Sequence, residues 1–373
     1  MKNILFIDNG LEFGGGTRSL LYLIENLSKN KEYNIHVFFE FNYLVSENTT
    51  INDYLRSLNI NVIENNFNKP KFPKLKKEIF RFFSKDFLYK KQFFLNLDFV
   101  KEVLTCLKID LIHLNNHFGS NLEYIYMANK LSIPVIQHLR KNSLLNKYQI
   151  KLLNNLKFYT ISVSESTYNF YNNQINIDKC IIYNPFEFRN TNEINREVSS
   201  DIIMFMPANY LENKGHFFVF KALDKVNRKD LKLYIAGSGQ FEKDTEELKN
   251  KLIKENKLVE LGFLKDLSSY YSKSDYVISF SENEGLPRVV LEGLSYGCSI
   301  ITSNYSVSYE IKELLNDKSK YFILERDVKK LFEKLNDLSK PINYDVDSLI
   351  SKTFSLKNYI TSVENLYKEI LQN

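Results

Sequence analysis

Along the chain, short apolar runs alternate with stretches whose apolar positions recur every three to four residues, the pattern of strands and amphipathic helices in parallel βαβ units. The first half predicts strands at NILFID, NIHVFFEF, DLIHLN, IPVIQHL, YTISVS and CIIYN. Between the first two, TRSLLYLIENLSKN puts Leu20, Leu23, Ile24 and Leu27 on one helical face. A second series runs through DIIMFMP, LKLYIAG, LVELGF, DYVISFS, CSIITSN and KYFILE. Between the two series, NPFEFRNTNEINREVSSD is polar and lacks an apolar period, as a linker does. The predicted class is α/β, with a doubly wound, Rossmann-like domain over 1–185, a linker over 186–200 and a second such domain over 201–355. A C-terminal helix follows over 356–373, with a crossing back to the first domain left open. In open parallel sheets ligands bind beyond the carboxyl ends of the strands, so candidate chemistry belongs in those loops, facing across a cleft.

Composition narrows the class. At 373 residues the chain exceeds one ordinary core, and its 44% apolar and 14% aromatic residues suffice to fill two. The opening MKNILFIDNG is too short for the apolar part of a signal segment, and no run approaches the ~20 apolar residues of a membrane span. Cys106, Cys180 and Cys298 are odd in number and lack metal-ligand spacing, which predicts reduced structural thiols in a cytoplasm. A formal charge of +5 does not call for nucleic acid. That charge is uneven, because residues 69–91, KPKFPKLKKEIFRFFSKDFLYKK, hold nine Lys or Arg against Glu78 and Asp86. A helix starting at Pro73 would gather Leu75, Ile79, Phe80, Phe82, Phe83 and Phe87 on one arc and Lys74, Lys77, Arg81 and Lys85 on the other. Such a helix suits an anionic membrane surface, the alternative being that its Phe face packs on the first domain's own core.

Residues 281–297, SENEGLPRVVLEGLSYG, follow a predicted strand. ENEG reads as a turn, Pro287 suits a first helical turn, and Gly297 suits the C-terminal cap of a helix ending at Tyr296. Glu284 then lies in the loop and Glu292 about a turn and a half into the helix. Exposed amides near Leu286 form a positive helix N-terminus suited to a phosphate or a sugar hydroxyl. On local features alone, complementing that dipole accounts for Glu282 and Glu284 equally well. Gly14, Gly15 and Gly16 precede a helix predicted near Thr17, so they either bring amides to a phosphate or serve tight geometry. His113, His117 and His138 fall near strand ends of the first domain, where a structural histidine bonded to backbone is the competing reading. Asp345 and Asp347 form an Asp-x-Asp that no buried strand delivers to a site, which predicts helix capping rather than a metal.

SFSENEGLPRVVLEGLSYGCSIITSN resembles the donor-site signature of retaining nucleotide-sugar glycosyltransferases of GT-B architecture, the group 1 or family 4 type, in which two Rossmann-like domains face across a cleft. The likeness is Ser, then Glu-Gly-x-Pro, then a second Glu after seven residues, then a small residue, Gly and a strand. PANYLENKGH, YIAGSGQF, VELGFLKDLSSYYSKSDYVIS and CIIYNPFE resemble further family segments, and FGGGTRSL and DLIHLNNHFGSN do so more loosely. The resemblance implies that Lys214 holds the donor diphosphate, Glu292 the ribose hydroxyls and Glu284 the transferred sugar. It further implies that Gly237, Gly285, Leu286, Pro287 and Arg288 line the donor site and that Gly15, Gly16 and Arg18 approach from the first domain. His138 would reach the sugar, with His117 as second choice, so Glu284, His138 and Lys214 form the catalytic set. Where the family usually has Arg, this chain has Asn209, and an amide lacks the charged bidentate grip of a guanidinium; Arg288, in the first helical turn, either compensates or serves the surface.

The implied activity is retaining transfer of a sugar from a nucleotide-diphosphate sugar to an acceptor hydroxyl, by a front-face path without a protein nucleophile, a cofactor or a metal. The implied acceptor is a glycan or a lipid-linked glycan, reached from the cytoplasm or the inner membrane face. Abundant Lys and Asn suggest a bacterium of low genomic GC, where such enzymes build surface polysaccharide such as lipopolysaccharide or capsule. Two other readings compete. One is a nicotinamide-dependent enzyme, with the Gly-rich turn and Glu40 as the ribose-binding acid. The other is a noncatalytic sugar-nucleotide binding protein, suggested by Asn209.

Overall fold

The computed structural model describes residues 1–11, 13–46, 48–65, 69–186 and 199–372, so most of the predicted linker lies outside the described residues, as do the side chains of Phe83 and Lys85. The chain divides into two compact units, Met1–Pro185 with Leu356–Asn373, and Phe186–Ser355.

In the first unit the sheet comprises β1 (Lys2–Asp8), β2 (Tyr33–Phe39), β3 (Asn61–Val62), β4 (Leu111–Leu114), β5 (Val135–Leu139) and β6 (Tyr159–Ser162). All pair in parallel, in the order β3-β2-β1-β4-β5-β6. Successive residues of β1 serve opposite faces: Leu5 and Ile7 join one core with Phe38 and Ile125, while Ile4 and Phe6 join another with Leu20 and Ile24. That two-sided burial is why these strands read as continuous apolar runs. The helix Leu356–Gln372 places Tyr359, Val363, Tyr367 and Ile370, spaced as one helical stripe, in the second of these cores.

Two details differ from expectation. CIIYN forms only an isolated bridge, Ile181 to Ser162, and Pro185, without an amide hydrogen, ends any further pairing. The helix expected from Pro73 onward is two helices, Lys74–Phe83 and Lys85–Thr105. Ser84 between them is extended at φ −175°, and its hydroxyl caps the second helix by accepting from Phe87 N at 2.9 Å.

The second unit repeats the topology with β7 (Ile202–Pro207), β8 (Leu231–Ala236), β9 (Leu258–Glu260), β10 (Tyr276–Ser279), β11 (Ser299–Ser303) and β12 (Tyr321–Leu324). Its parallel order, β9-β8-β7-β10-β11-β12, matches that of the first sheet. In each sheet the winding reverses beside the first strand, and loops leaving the strands there diverge to open a crevice.

Candidate functional site

The crevice between the ends of β7 and β10 holds a cavity of about 370 Å³. Asn209, Lys214, Gly237, Glu284, Leu286, Pro287 and Arg288 all line it, with Ser281, Phe263 and Leu267. Backbone crowding builds it. After β7 the chain forms a turn over Glu212–Lys214, and Gly215 at φ +81° sends it into the helix His216–Lys225. A Cβ on Gly215 would stand 2.2 Å from Phe280 O, and one on Gly237 would stand 2.1 Å from Ala208 O, so both approaches require glycine. Glu282 N donates to Asn213 O at 2.8 Å, and the Arg326 guanidinium spans the Phe280 and Glu212 carbonyls at 3.3 and 3.2 Å. The loops after β7 and β10 are thereby fastened together.

Lys214 Nζ donates to Glu284 Oε1 at 2.6 Å, and Ser281 Oγ donates to the same oxygen at 2.7 Å. The Lys214 and Glu284 side chains are 26% and 19% exposed. The pair is therefore less screened than a surface salt bridge, yet its ammonium remains open to a competing anion. Beyond Glu284 the chain turns at Gly285 into the helix Arg288–Ser295, whose backbone bonding begins with Val290 N donating to Pro287 O at 3.1 Å, so that the positive end of its dipole lies beside the cavity. The Arg288 guanidinium lies 5.7 Å from the Phe186 ring.

Glu292 points back from this helix to accept from Tyr271 Oη at 2.5 Å. The Tyr271 ring is buried and stacks on Tyr296 at 5.5 Å. Burial first, and the Glu292 charge second, hold its phenol well above the ordinary value, so it stays a donor. Asn209 Oδ1 accepts from Ser238 Oγ at 3.3 Å, joining the loops after β7 and β8 but bringing no charge.

The remaining candidates belong to the first unit. Gly15 opens the helix Gly15–Leu27, two residues earlier than expected, at the carboxyl end of β1. A Cβ on Gly16 would lie 3.5 Å from Arg140 Cβ, and the Arg18 guanidinium lies 5.6 Å from the Phe13 ring. His138, expected to reach a ligand, is instead fully buried within β5, its Nδ1 3.1 Å from His113 Nε2, while His113 Nδ1 is 2.6 Å from Tyr367 Oη. Because β5 runs on to Leu139, strand alternation directs His138 into the core under the C-terminal helix. Burial, reinforced by the Arg140 charge, holds both imidazoles well below their ordinary range, hence neutral. His117 occupies the N-cap of the helix Phe118–Lys130.

The residue that emerges from β5 is Arg140, which donates to Asn115 Oδ1 and Tyr359 Oη, each at 2.9 Å, and to Asn184. Asn115 Nδ2 donates in turn to Asp8 Oδ2 at 2.6 Å. This network was not anticipated, although Ile7 of β1, Leu114 of β4 and Leu139 of β5 are each followed directly by one of its members. Tyr271 and Arg326 were also missed, and no local pattern marks them. Glu40, the ribose acid of the nicotinamide reading, is buried and already accepts from Lys69 at 2.8 Å and Tyr124 Oη at 2.9 Å, which removes the support for that reading. Asp347 caps the helix Ser348–Thr353 by accepting from Leu349 N at 2.9 Å. Among the described residues no three His, Cys, Asp or Glu side chains are grouped to hold a metal ion.

Residues 187–342 match the family described as glycosyl transferases group 1. A Campylobacter jejuni protein, N-acetylgalactosamine-N,N'-diacetylbacillosaminyl-diphospho-undecaprenol 4-alpha-N-acetylgalactosaminyltransferase, is 25% identical over 217 residues, 56% of this chain and 58% of that relative. The chain spans 28–58% of the lengths of this relative and of two other curated glycosyltransferases that it matches. The crystal structure of a glycosyltransferase from Rickettsia africae shares the fold at a TM-score of 0.77 and 21% identity, over 100% of this chain and 99% of that one. Anabaena HepE, crystallised with UDP and glucose, does so at 0.67 and 16%, over 99% and 100%. The fold is that of the GT-B glycosyltransferases, and the matched segment, which lies in the second unit, is similar to the glycosyl transferases of group 1.

Proposed function

We propose that the chain transfers a sugar, with retention of configuration, from a nucleotide-diphosphate sugar bound in the second unit's cavity to the hydroxyl of a glycan or lipid-linked glycan in bacterial surface polysaccharide synthesis. The observation that carries this reading is the 2.6 Å contact between Lys214 and Glu284 at the β7–β10 crevice. The arriving diphosphate competes with Glu284 for the ammonium. As the glycosidic bond breaks, Lys214, the amides of the Arg288–Ser295 helix and the Arg288 guanidinium oppose the charge growing on the leaving phosphate, with no metal needed. Glu284, released from Lys214 and still held by Ser281, accepts hydroxyls of the transferred sugar. Glu292, oriented by Tyr271, accepts those of the ribose. The Campylobacter relative, named for transfer to a diphospho-undecaprenol-linked sugar, supports the acceptor class, and the UDP and glucose bound by HepE support the donor class.

The test is a transfer assay over UDP-, GDP- and ADP-sugars with a hydroxyl acceptor panel, the anomeric configuration of the product being read by NMR. Transfer that retains configuration and survives EDTA is expected. An inverted product, or EDTA inhibition reversed by Mg²⁺ or Mn²⁺, would contradict the mechanism. Donor binding without any transfer would favour the noncatalytic reading, for which Asn209 is the motive.

A further inference from the structure

In the first unit, the helix Lys74–Phe83 carries three large apolar side chains in the open: Leu75, Ile79 and Phe82 are 75%, 48% and 88% exposed. Single exposed apolar residues are ordinary on any surface. Here three of them, spaced i, i+4 and i+7, fall within about 60° of one another around a ten-residue helix. The same helix fastens to its neighbour by a different side. Phe80 packs edge-on against Phe72 at 5.1 Å and against Phe87, in the helix Lys85–Thr105, at 5.6 Å. Packing against the neighbouring helix and Phe72 therefore uses the half-buried Phe80, while Leu75, Ile79 and Phe82 stay exposed. Phe87 and Phe94, seven residues apart on the second helix, are also exposed.

The charges around this arc are mainly positive, Glu78, about 60° from Leu75, being the one acid of the helix. Lys74 and Lys76 project to either side of it, about 100° away, while Lys77 and Arg81 occupy the opposite face. Residues 69–91 hold seven further charges, Lys69, Lys71, Glu78, Lys85, Asp86, Lys90 and Lys91, of which only Glu78 and Asp86 are negative, and Glu78 is taken up by Arg81 at 2.9 Å. A second copy of the chain would bring the same positive charge to the contact. An anionic headgroup layer instead complements it, with long lysine stems able to reach outward while apolar side chains enter below.

We propose that the helix Lys74–Phe83 docks the first unit on an anionic lipid surface, its Leu75–Ile79–Phe82 arc entering the headgroup boundary. The contact is peripheral, since no helix among the described residues is long and apolar enough to cross a membrane. It does not depend on the donor-site reading, because it uses neither the second unit nor turnover.

The test is flotation of the full chain with vesicles of phosphatidylcholine alone or mixed with phosphatidylglycerol, at low and high salt. The wild type should float with the mixed vesicles at low salt. Replacing Lys74, Lys76 and Lys77 by Glu should lower partitioning by on the order of 10²-fold, and high salt should act in the same direction. Leu75→Ser, Ile79→Ser and Phe82→Ser together should abolish it, while a thermal melt matching wild type shows that the exposed arc was not needed for folding. A wild type that fails to float would overturn the proposal, as would an apolar triple variant that floats undiminished. So would a wild-type dimer, indifferent to lipid, that the triple variant turns into a monomer.

Discussion

Lys214 and Glu284 lie 70 positions apart and meet at 2.6 Å because Gly215 and Glu282 hold their loops in register. If the ammonium opposes charge on a departing phosphate, Lys214→Ala should lower kcat by about 10²-fold or more, measured as steady-state transfer by folded protein. Near-normal turnover would remove Lys214 from that role. Tyr271 acts through Glu292, so Tyr271→Phe, which keeps the ring stack and deletes only the donated hydrogen, should raise the donor KM by about tenfold with a smaller effect on kcat. A uniform fall in kcat at unchanged KM would make the tyrosine merely structural. Glu284, Lys214 and the uncharged Asn209 were legible in the sequence because they stand within short motifs of fixed spacing. Tyr271, Arg326 and Arg140 were not, since each acquires its partners only when distant strands come together.

Among the elements, strands covered on both faces could be read directly, because double-sided burial forces an unbroken apolar run, as in β4 and β5. β3, two residues long, carries too little pattern to read. The break at Ser84 was equally hidden, since the periodicity of residues 73–91 continues across it and only the serine's capping bond ends one helix and starts the next. His138 was misplaced for a different reason: the resemblance sets its histidine after this strand, whereas His138 lies within it, and a single step along a strand exchanges core for crevice. The cavity's own geometry rests on close loop contacts. Gly237→Ala, placing a methyl 2.1 Å from Ala208 O, should destabilise the second unit by roughly 1–3 kcal/mol in urea unfolding and weaken donor binding with it. Unchanged stability and binding would mean that the loops after β7 and β8 can part at little cost.

Across the whole molecule, the repeated strand order follows from two series of βαβ signals, which is why the architecture could be anticipated when single contacts could not. Both units also bury neutral imidazoles: His113 and His138 in the first, held low by burial and then by Arg140, and His216 in the second, lowered to about 3 by burial and then by Lys214. The unfolded chain, with imidazole pKa values near 6.5, binds protons that the folded chain refuses. This contribution to stability is complete above about pH 6.5 and is lost as pH falls below it, by up to about 1.4 kcal/mol per pH unit for each imidazole. Melting midpoints should accordingly drop between about pH 7 and pH 5, and a flat profile would show that these histidines accept protons in place. Calorimetric titration of UDP, GDP and ADP into the wild type and Lys214→Ala shows whether the cavity around Lys214 and Glu284 receives a nucleoside diphosphate. One of the three should bind the wild type and lose roughly 10- to 100-fold in affinity in the variant, as expected for a charge-assisted contact to phosphate. Binding of none of them, or equal binding to both proteins, would contradict the account.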